Sequence, residues 1–476
     1  MLAVDIDQLL LCLLLPRNSP KQSGIAFALY LCLKIYFALQ SGMNFIQTHR
    51  MHNIILIPII FSFTFVQAVV AQDYPFDFSS KQYSEGVHTV LLHPRDEPLL
   101  DAVMKLGEQN ALELSFDVLG DLAYIYNYTI IHCDYLWRPS DLLPAQYISG
   151  YFEDEIRDYR FSLNTLTPYI HYNLVFPTSN MKPLISGNYL LVVYENEMVE
   201  GQVLLTHRFR VVDSGAGIQV RIPQRPRNLA YDGRKQQLDI TVRINGVFNV
   251  SPHETVKLVI KQNGRTDNAI YGLRPSHVFG DELTYEYAEE TVFDGGNQFR
   301  NFDMKSFKYQ SERIQRIFRD DHYYVVRLWP DERRHNKNYI TEPDLHGRKF
   351  IKARDDQDTH IEGDYAWVQF LLHYPAPLTH GEMHIIGSLN DFQLDHRSRM
   401  TYNYGLKGYE GALFLKQGYY NYMYGILEPG QNAADISPIE GDHWETLNEY
   451  AVMVYFRRPG TTYDQLIGYQ TVLSHE

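Results

Sequence analysis

The chain has 476 residues, enough for about two to four domains, and its 45% apolar content supports several hydrophobic cores, which excludes an intrinsically disordered chain. Its 43 Lys and Arg residues against 57 Asp and Glu residues give a formal charge of -14, which repels phosphate backbones and argues against a nucleic-acid partner. The 36 Tyr and 25 Phe residues fall in short alternating runs, and rings suit pleated, half-buried surfaces. The composition therefore predicts an all-β protein.

The beginning of the chain differs from the rest and predicts a leader over residues 1–71. Arg50 precedes an apolar run from Ile54 to Val66, and small residues lead up to Ala71. The apolar run is shorter than the roughly 20 residues that cross a bilayer core. We therefore expect residues 51–71 to be a secretory signal peptide that is cleaved after Ala71, and the mature protein to be exported.

Removal of the leader changes the cysteine content. Cys12 and Cys32 lie within the leader and only Cys133 remains, so we expect an exported protein with no internal disulfide. Met43 or Met51 offers a second translation start, which makes residues 1–50 a candidate for an over-extended reading frame.

The segment 72–218 contains several runs of period-two apolar residues separated by turn formers. The predicted strands are 88–93, 111–119, 126–133, 171–176, 188–195 and 207–213. This spacing is typical of a β-sandwich, and we expect an N-terminal β-sandwich domain here.

Two further domains are expected after this segment. A middle β domain, 219–358, contains predicted strands at 238–244, 255–261, 282–287 and 323–329, a short stretch, 311–318, that could form one or two helical turns, and a polar linker or edge region at 330–358. A C-terminal β-sandwich, 359–476, contains aromatic strands bounded by Gly, Pro or Asn. The predicted architecture is a tandem of immunoglobulin-like β-sandwiches.

Three residue types that carry out chemistry stand side by side at the end of the run YNYTIIHC: His132, Cys133 and Asp134. In a strand, successive side chains point to opposite faces, so His132 and Cys133 point apart. A Cys-His catalytic dyad needs hydrogen-bond contact. We therefore predict that Cys133 is a small buried apolar side chain rather than a nucleophile or a metal ligand.

The residues that follow predict a strand terminus locked by a turn. Asp134 can accept backbone hydrogen bonds, Pro139 and Ser140 shape the exit of the chain, and Trp137 supplies a ring to cover the end of the sheet. The cluster is therefore interpreted as structural.

Other chemistry-like patterns are weaker. A metal-binding helix over HGEMH, 380–384, would be broken by its glycine, and RDDQD, 354–358, lacks the Gly and Glu of a calcium loop. The carboxylates of EDE, 153–155, could serve glycoside hydrolysis only if the fold brought two of them together. We expect no catalytic residue, no metal and no cofactor, and hence no enzyme.

A Tyr-rich run, GYYNYMYGI at 418–426, follows GSLNDF at 387–392. Exposed rings on one strand face could stack on a sugar, which leaves a periplasmic or surface carbohydrate-binding protein as the alternative function. The favoured interpretation is that Tyr420, Tyr422 and Tyr424 form one packed face.

Several motifs in order resemble one known family. They are HCDYLWRPSDL, QYISGYFEDEIRDYRFSLNTLTPYIHYNLVFP, SGNYLLVVY, GSLNDF with LKQGYYNYMY, and HWETLNEYAVMVYFR with YDQLIGY. Together they are similar to the type IX secretion system plug protein family of Bacteroidota, over essentially all of residues 80–476. The motif residues assigned a structural role are His132, Cys133, Asp134, Trp137, Pro139, Ser140, Asn164, His171 and Tyr172.

The resemblance implies a non-enzymatic periplasmic protein. A family member of this kind would dock on the periplasmic side of the outer-membrane β-barrel translocon and plug its pore when no substrate passes. The C-terminal segment is also similar to early-set, glycogen-binding-type immunoglobulin folds, but Phe392 stands where sugar-binding relatives usually carry Trp.

Overall fold

The computed structural model describes residues 74–244 and 251–475, within a compact unit that extends over Gln72–Glu476. The predicted leader, 1–71, and its cleavage after Ala71 lie outside the described residues. In the described ranges nearly all regular structure is strand, in several antiparallel sheets, so the all-β prediction with tandem sandwiches is confirmed. The immunoglobulin-like and early-set details remain predictions.

The first sandwich comprises the strands up to residue 212. They are β1 (Lys81–Gln82), β2 (Val87–Pro94), β3 (Val103–Lys105), β4 (Leu112–Leu119), β5 (Tyr126–Cys133), β6 (Ile148–Gly150), β7 (Asp154–Ile156), β8 (Asp158–Phe161), β9 (Tyr169–Phe176), β10 (Met181–Pro183), β11 (Gly187–Tyr194) and β12 (Val203–Val212). One sheet has the order β1-β12-β11-β5-β7 with β3 beside β12, and the other has the order β2-β4-β9-β8. Alternate apolar residues of both sheets, such as Phe116, Tyr128 and Phe209, share one core.

The second sandwich draws strands from two distant parts of the chain. They are β13 (Ala216–Arg221), β14 (Lys235–Gln237), β15 (Asp239–Ile244), β16 (Val256–Gln262), β17 (Ile270–Leu273), β18 (His277–Phe279), β19 (Glu282–Tyr285) and β20 (Val292–Asp294), joined by β30 (Glu449–Phe456) and β31 (Gln465–Leu473). Its sheets run β13-β15-β19-β18 and β17-β16-β30-β31, with a small β14-β20 pair. Ile240, Leu258 and Val452 lie in their shared core.

The third sandwich lies between β20 and β30 in the chain. Its strands are β21 (Arg300–Asp303), β22 (Ile314–Arg319), β23 (Tyr324–Leu328), β24 (Lys349–Ile351), β25 (Tyr365–His373), β26 (Glu382–Ile386), β27 (Thr401–Asn403), β28 (Gly408–Lys416) and β29 (Gly418–Leu427). One sheet has the order β22-β23-β25-β28-β27, and the other is built on β29, which pairs with β21, β24 and β26. Phe302, Val368 and Tyr422 belong to the core between them.

Helices in the described ranges are single turns. Four-residue α-helices cover Pro144–Tyr147, Pro252–Thr255, Thr359–Glu362 and Ser437–Glu440, and 3-10 turns cover Leu229–Tyr231 and Ser388–Asn390. Within residues 74–244 and 251–475, none of the helices has the length and apolar character needed to cross a bilayer.

The helical turns considered for 311–318 are wrong. Residues Ile314–Arg319 form strand β22, which pairs with β23. Its burial pattern alternates only at the start, because the strand lies at the edge of its sheet and has one solvent-facing side. A half-exposed edge strand with charged residues does not carry a clean period-two signal. The polar stretch after it does contain the expected edge element, β24.

The strand pairing crosses the boundary expected at residue 358. β30 pairs with β16 over seven residues, while β21 and β24 pair with β29. The strand pattern identifies β16 and β30 as strands but not as partners, because pairing depends on contacts far apart in the chain. We propose three sandwiches in which the second is discontinuous, 216–294 with 449–473, and the third, 300–440, is inserted into it.

A buried ion pair connects the first and third sandwiches. Lys416 Nζ on β28 lies 2.6 Å from Asp117 Oδ2 on β4, and the two side chains are 2% and 1% exposed. Tyr365 donates its hydroxyl to the same oxygen at 2.7 Å, and His171 Nδ1 lies 2.7 Å from Asp117 Oδ1. Burial alone would raise the pKa of Asp117, but the Lys416 ammonium and His171 hold it below its usual value. The charge of Asp117 is therefore compensated from both sandwiches.

We expect the variant Lys416→Met to lower the free energy of unfolding by about 3–5 kcal/mol, because it leaves the Asp117 carboxylate buried without its cation. The double variant Asp117→Asn with Lys416→Met should recover part of that loss, since it removes both charges. Urea unfolding of the single and double variants measures the coupling.

The exposed pair of Arg243 and Glu282 provides the control, because surface ion pairs contribute about 0–1 kcal/mol. If Lys416→Met costs no more than Arg243→Met, the ion pair does not hold the sandwiches together.

Candidate functional site

Strand β5 presents its two faces to two different cores. Tyr128 and Ile130 point into the core of the first sandwich, whereas Ile131 and Cys133 point to a second cluster on the outer face of the same sheet. His132 lies on the inner side, where its ring meets the Tyr189 ring edge-on at 5.1 Å between centroids. His132 and Cys133 are therefore on opposite faces of the sheet and do not form a dyad.

His132 is fully buried in aromatic surroundings. Its Nδ1 lies 3.0 Å from Ser140 Oγ, and its Nε2 is buried without a hydrogen-bond partner among the described residues. Gly187, at a φ of 152°, lies directly against the ring, and a Cβ at this position would overlap with Nε2. Burial lowers the pKa of His132 to about 4. The imidazole is therefore held neutral as part of the packing.

Cys133 packs among apolar side chains that include Trp137, Leu190 and Val192. It is 0% exposed, and burial raises the pKa of its thiol. The thiolate is the nucleophilic and metal-binding form of cysteine, so this environment disfavours both kinds of chemistry.

A tight turn follows β5 and is organised by Asp134. Its Oδ1 accepts hydrogen bonds from the backbone N of Leu136 and of Arg138, both at 2.9 Å, and Arg138 Nε donates to Oδ2 at 2.8 Å. Trp137 takes a φ of 65° in this turn. The exposed Pro139 pairs with Cys133 in an isolated bridge, and Ser140 N donates to His132 O at 3.0 Å. The carboxylate thus closes the turn.

The Trp137 ring is buried beneath two arginines. The Cζ atoms of Arg208 and Arg210 lie 4.4 Å and 5.0 Å from the Trp137 ring. Both arginines come from β12, so the ring covers the outer face of the sheet and also contributes cation–π attraction. Sequence reasoning placed Trp137 at the end of the sheet but did not identify these two partners.

The remaining predicted motif residues lie elsewhere. His171 is on β9 and connects Asp117 to His360, whose Nδ1 is 3.1 Å from His171 Nε2. Tyr172 is buried in the first core, and its hydroxyl exchanges hydrogen bonds with the backbone O and N of Tyr124 at 2.9 Å and 3.0 Å. Asn164 occupies an exposed turn with a φ of 58°. The motif residues therefore do not converge on one cavity.

The other chemistry-like patterns are also dispersed. His384 is buried with its Nδ1 2.9 Å from Ser398 Oγ, whereas His380 is exposed before the strand begins. Asp358 caps the helical turn Thr359–Glu362 by accepting a hydrogen bond from His360 N. In the part of the chain that the structure describes, no group of three or more His, Cys, Asp or Glu side chains could hold a metal ion.

The Tyr-rich strand β29 faces the core of the third sandwich. Tyr420, Tyr422 and Tyr424 are all buried there, which confirms that they form one packed face. The hydroxyls of Tyr422 and Tyr424 donate to Asp331 Oδ2 at 2.8 Å and 2.9 Å. These rings are not available to stack on a sugar, so the main feature that favoured the carbohydrate-binding alternative is absent from the surface.

An exposed group of rings, which we call the aromatic rim, lies at one edge of the first sandwich. It comprises Tyr124, Tyr159 and Phe161, which are 55%, 39% and 52% exposed. Tyr159 and Phe161 lie on β8, the edge strand of its sheet, with ring centroids 6.0 Å apart. Buried Tyr172 connects the two parts of the rim, because it bonds to the Tyr124 backbone and packs 5.7 Å from the Tyr159 ring.

Two exposed apolar residues of the β4–β5 loop, Leu122 and Ile125, flank Tyr124. Sequence reasoning missed this surface, although the alternation in DYRF, 158–161, places Tyr159 and Phe161 on one face. Large exposed apolar patches are a general feature of protein interaction sites.

The fold and these contacts define an all-β protein of three sandwiches whose polar motif residues serve packing and turn formation. Residues 87–213 match the family model of the type 9 secretion system plug protein 1st domain. This range begins at the first residue of β2 and ends one residue beyond β12, so it covers the first sandwich apart from β1. The chain belongs to the type 9 secretion system plug protein family. The predicted resemblance is thereby confirmed over residues 87–213.

The chain is also similar to a crystal structure of a hypothetical protein from Parabacteroides merdae. The two share 32% sequence identity with a TM-score of 0.80, over 84% of this chain and 100% of the other. A biofilm associated protein B domain gives a TM-score of only 0.14 at 8% identity, over 81% of this chain and 85% of its own. A Salmonella alpha-2-macroglobulin mutant gives a TM-score of 0.15 at 9% identity, over 83% of this chain and 33% of its own. These two likenesses carry no structural argument. No curated protein matches the chain.

We expect the free energy of unfolding to fall by about 3 kcal/mol as the pH falls from about 6.5 to about 4 because of His132 alone. The pKa of His132 is lower in the folded than in the unfolded protein, so the unfolded protein binds more protons in this window. The contribution is complete above pH 6.5 and is lost towards pH 4.

Urea unfolding of the wild type and of His132→Phe at several pH values measures this difference. The variant should have a smaller slope of unfolding free energy against pH, whereas a variant at the exposed His253 should keep the wild-type slope. Equal slopes for wild type and His132→Phe would contradict the burial of a neutral imidazole.

We expect Cys133→Ala to lower the free energy of unfolding by about 1–2 kcal/mol, as a small truncation in a core, and to leave partner binding intact. Cys133→Ser should cost more, because its hydroxyl would be buried in apolar surroundings. Loss of partner binding by Cys133→Ala at unchanged stability would show that the thiol has a functional role.

Proposed function

We propose that this protein docks on the periplasmic side of the outer-membrane translocon barrel of the type 9 secretion system and plugs its pore. The family match over the first sandwich carries the proposal, since it relates the chain to type 9 secretion. In this role the protein acts by occupying space and not by catalysis. The expected leader, cleaved after Ala71, would deliver it to the periplasm.

The way in which the sandwiches are joined supports this role. A plug must resist deformation, and the contact between the first and third sandwiches contains compensated charges that tolerate little displacement. The Asp117–Lys416 pair is buried there, and Tyr169 on β9 donates its hydroxyl to Gly363 O at 2.8 Å. Leu166 N donates to Asp364 Oδ2 across the same contact at 2.6 Å. A body joined in this way behaves as one obstacle rather than as beads on a string.

We place the docking surface on the aromatic rim. Its rings are exposed on the domain that matches the family model, and rings at the centre of an interface supply most of its binding free energy. Arg157, which is exposed just before β8 and pairs with Glu155, adds a polar group that suits a reversible, hydrated contact.

We expect the double variant Tyr159→Ser with Phe161→Ser to weaken binding to the barrel by about 30-fold, which corresponds to a loss of roughly 2 kcal/mol. Because both residues lie on an edge strand and are 39% and 52% exposed, the fold should be retained. Capture of the solubilised barrel on immobilised protein, titrated with barrel, measures the affinity.

Tyr404→Ser is the matched control, since Tyr404 is an exposed ring on the third sandwich, in the turn between β27 and β28. If the double variant binds as tightly as the wild type and Tyr404→Ser binds more weakly, the docking surface lies on the third sandwich and not on the rim. Capture of no barrel by the wild type would overturn the docking proposal itself.

Plugging is tested separately from docking by the conductance of the barrel in a planar bilayer. Protein added to the periplasmic side should reduce the conductance, and the double rim variant should do so only at higher concentration. Docking without a fall in conductance would show that the protein is an accessory subunit and not a plug.

A further inference from the structure

A small cavity lies where the three sandwiches meet. Its volume is about 200 Å³, below the roughly 300–1,000 Å³ of sites for drug-sized ligands. Arg208 and Arg210 on β12 line it from the first sandwich, Lys261 on β16 from the second, and Lys349 from the third. The walls of this cavity are therefore rich in side-chain cations that come from distant parts of the chain.

Two of these cations are deeply buried. Lys261 and Arg210 are each 7% exposed. Arg210 Nε is buried with no hydrogen-bond partner among the described residues. Lys261 Nζ forms no ion pair within 4.0 Å with a carboxylate that the structure describes, and Asp101 attracts it from further away. A buried charged group normally has a partner, because burying an unpaired charge is costly.

The carboxylates nearby do not supply that partner. Asp391 Oδ1 lies 3.1 Å from Lys349 Nζ, and Glu449 binds Arg348. Asp101 lies 3.6 Å from Arg348 through its Oδ1 and accepts the Tyr469 hydroxyl at 3.1 Å through its Oδ2. One carboxylate, Asp101, is therefore left to balance Arg208, Arg210 and Lys261.

This excess of positive charge shifts the pKa of an acidic group and of a basic group in the cavity. Although burial acts in the opposite direction, the surrounding cations lower the pKa of Asp101 to about 2. Burial, together with repulsion from Arg210, Arg208 and Arg348, lowers the pKa of Lys261 to about 8 in spite of attraction by Asp101. An added anion would relieve the repulsion around Lys261.

We propose that this cavity binds a small oxyanion, a phosphate or a carboxylate group, between Lys261 and Arg210. Guanidinium groups present parallel N–H donors that match the oxygens of both groups, and the ammonium of Lys261 adds a point charge. Because the walls belong to all three sandwiches, the bound anion would also stabilise their arrangement. This inference does not depend on the proposed role as a plug.

The test uses purified protein with sulfate, inorganic phosphate and acetate as probes, against sodium chloride at equal ionic strength. We expect one of the oxyanions to raise the unfolding temperature in a saturable way that chloride does not reproduce. Sulfate or phosphate acting more strongly than acetate would identify the phosphate class, and the reverse order would identify the carboxylate class. No saturable effect of any of the three would overturn the proposal.

The variant Lys261→Met keeps the apolar stem and removes the charge, and we expect it to bind the oxyanion about tenfold more weakly or worse. Lys235→Met is the control, because Lys235 is a more exposed lysine that pairs with Asp294 outside the cavity. The affinity of this variant for the oxyanion should equal that of the wild type. Equal affinities for wild type and Lys261→Met would overturn the assignment of the site.

A second measurement needs no variant. Sulfate keeps its charge between about pH 7 and about pH 9, so its affinity for the wild type should fall by about tenfold over this range as Lys261 loses its proton. The groups that face Lys261 are Asp101, Arg208, Arg210 and Arg348, with His93, His207, Lys349, Asp391 and Tyr469 around the same walls. An affinity that does not change with pH would contradict a role for the Lys261 ammonium.

Discussion

Compensation of buried charge between sandwiches is the constraint on which the whole arrangement depends. Asp117 of the first sandwich and Lys416 of the third would each be strongly unfavourable alone, and each is neutralised only when the other is in place. Arg348 of the third sandwich and Glu449 of the second form a further ion pair between sandwiches, with side chains that are 18% and 16% exposed. Apolar contacts tolerate sliding, but a buried ion pair with fixed hydrogen bonds does not. The orientation of the sandwiches is therefore set by chemistry at their contacts.

The order of the strands strengthens this arrangement. The third sandwich leaves the second after β20 and the chain returns to it at β30, so two connections hold it instead of one. A sandwich attached at two points has fewer ways to swing than one at the end of a linker. Inside the third sandwich, Arg300 Nη1 lies 2.6 Å from Asp331 Oδ1 and Arg300 Nε lies 3.0 Å from Glu440 Oε1. These ion pairs connect the two sheets of the third sandwich to the segment that leads back to the second.

The His and Cys side chains that could carry out chemistry contribute to the packing of the sandwiches instead. His132, Cys133 and His384 are buried in packing or hydrogen-bonded contacts, whereas the exposed large side chains of the first sandwich include the rings of the aromatic rim. Such a division between interior and surface suits a protein that works by contact. An edge strand also invites pairing with other chains, and the charges of Asp158 and Arg160 on β8 reduce that risk.

Local patterns in the sequence were enough to predict most strands and the broad class of the fold. Period-two alternation placed β5, β11 and β16 within one or two residues, predicted the opposite faces of His132 and Cys133, and predicted the packed face of Tyr420, Tyr422 and Tyr424. These features are local, because the pleat of a strand decides them. The edge strand β22, with its mixed polar and apolar residues, lacked that signal.

Only the tertiary structure decided which strands pair and which charges meet. The partnership of β16 with β30, the contact between Asp117 and Lys416, and the cations that gather around Lys261 all join residues far apart in the chain. Alternation says which side a residue faces but not what lies opposite, since that depends on how the sheets pack. Both the aromatic rim and the cationic cavity arise at this level.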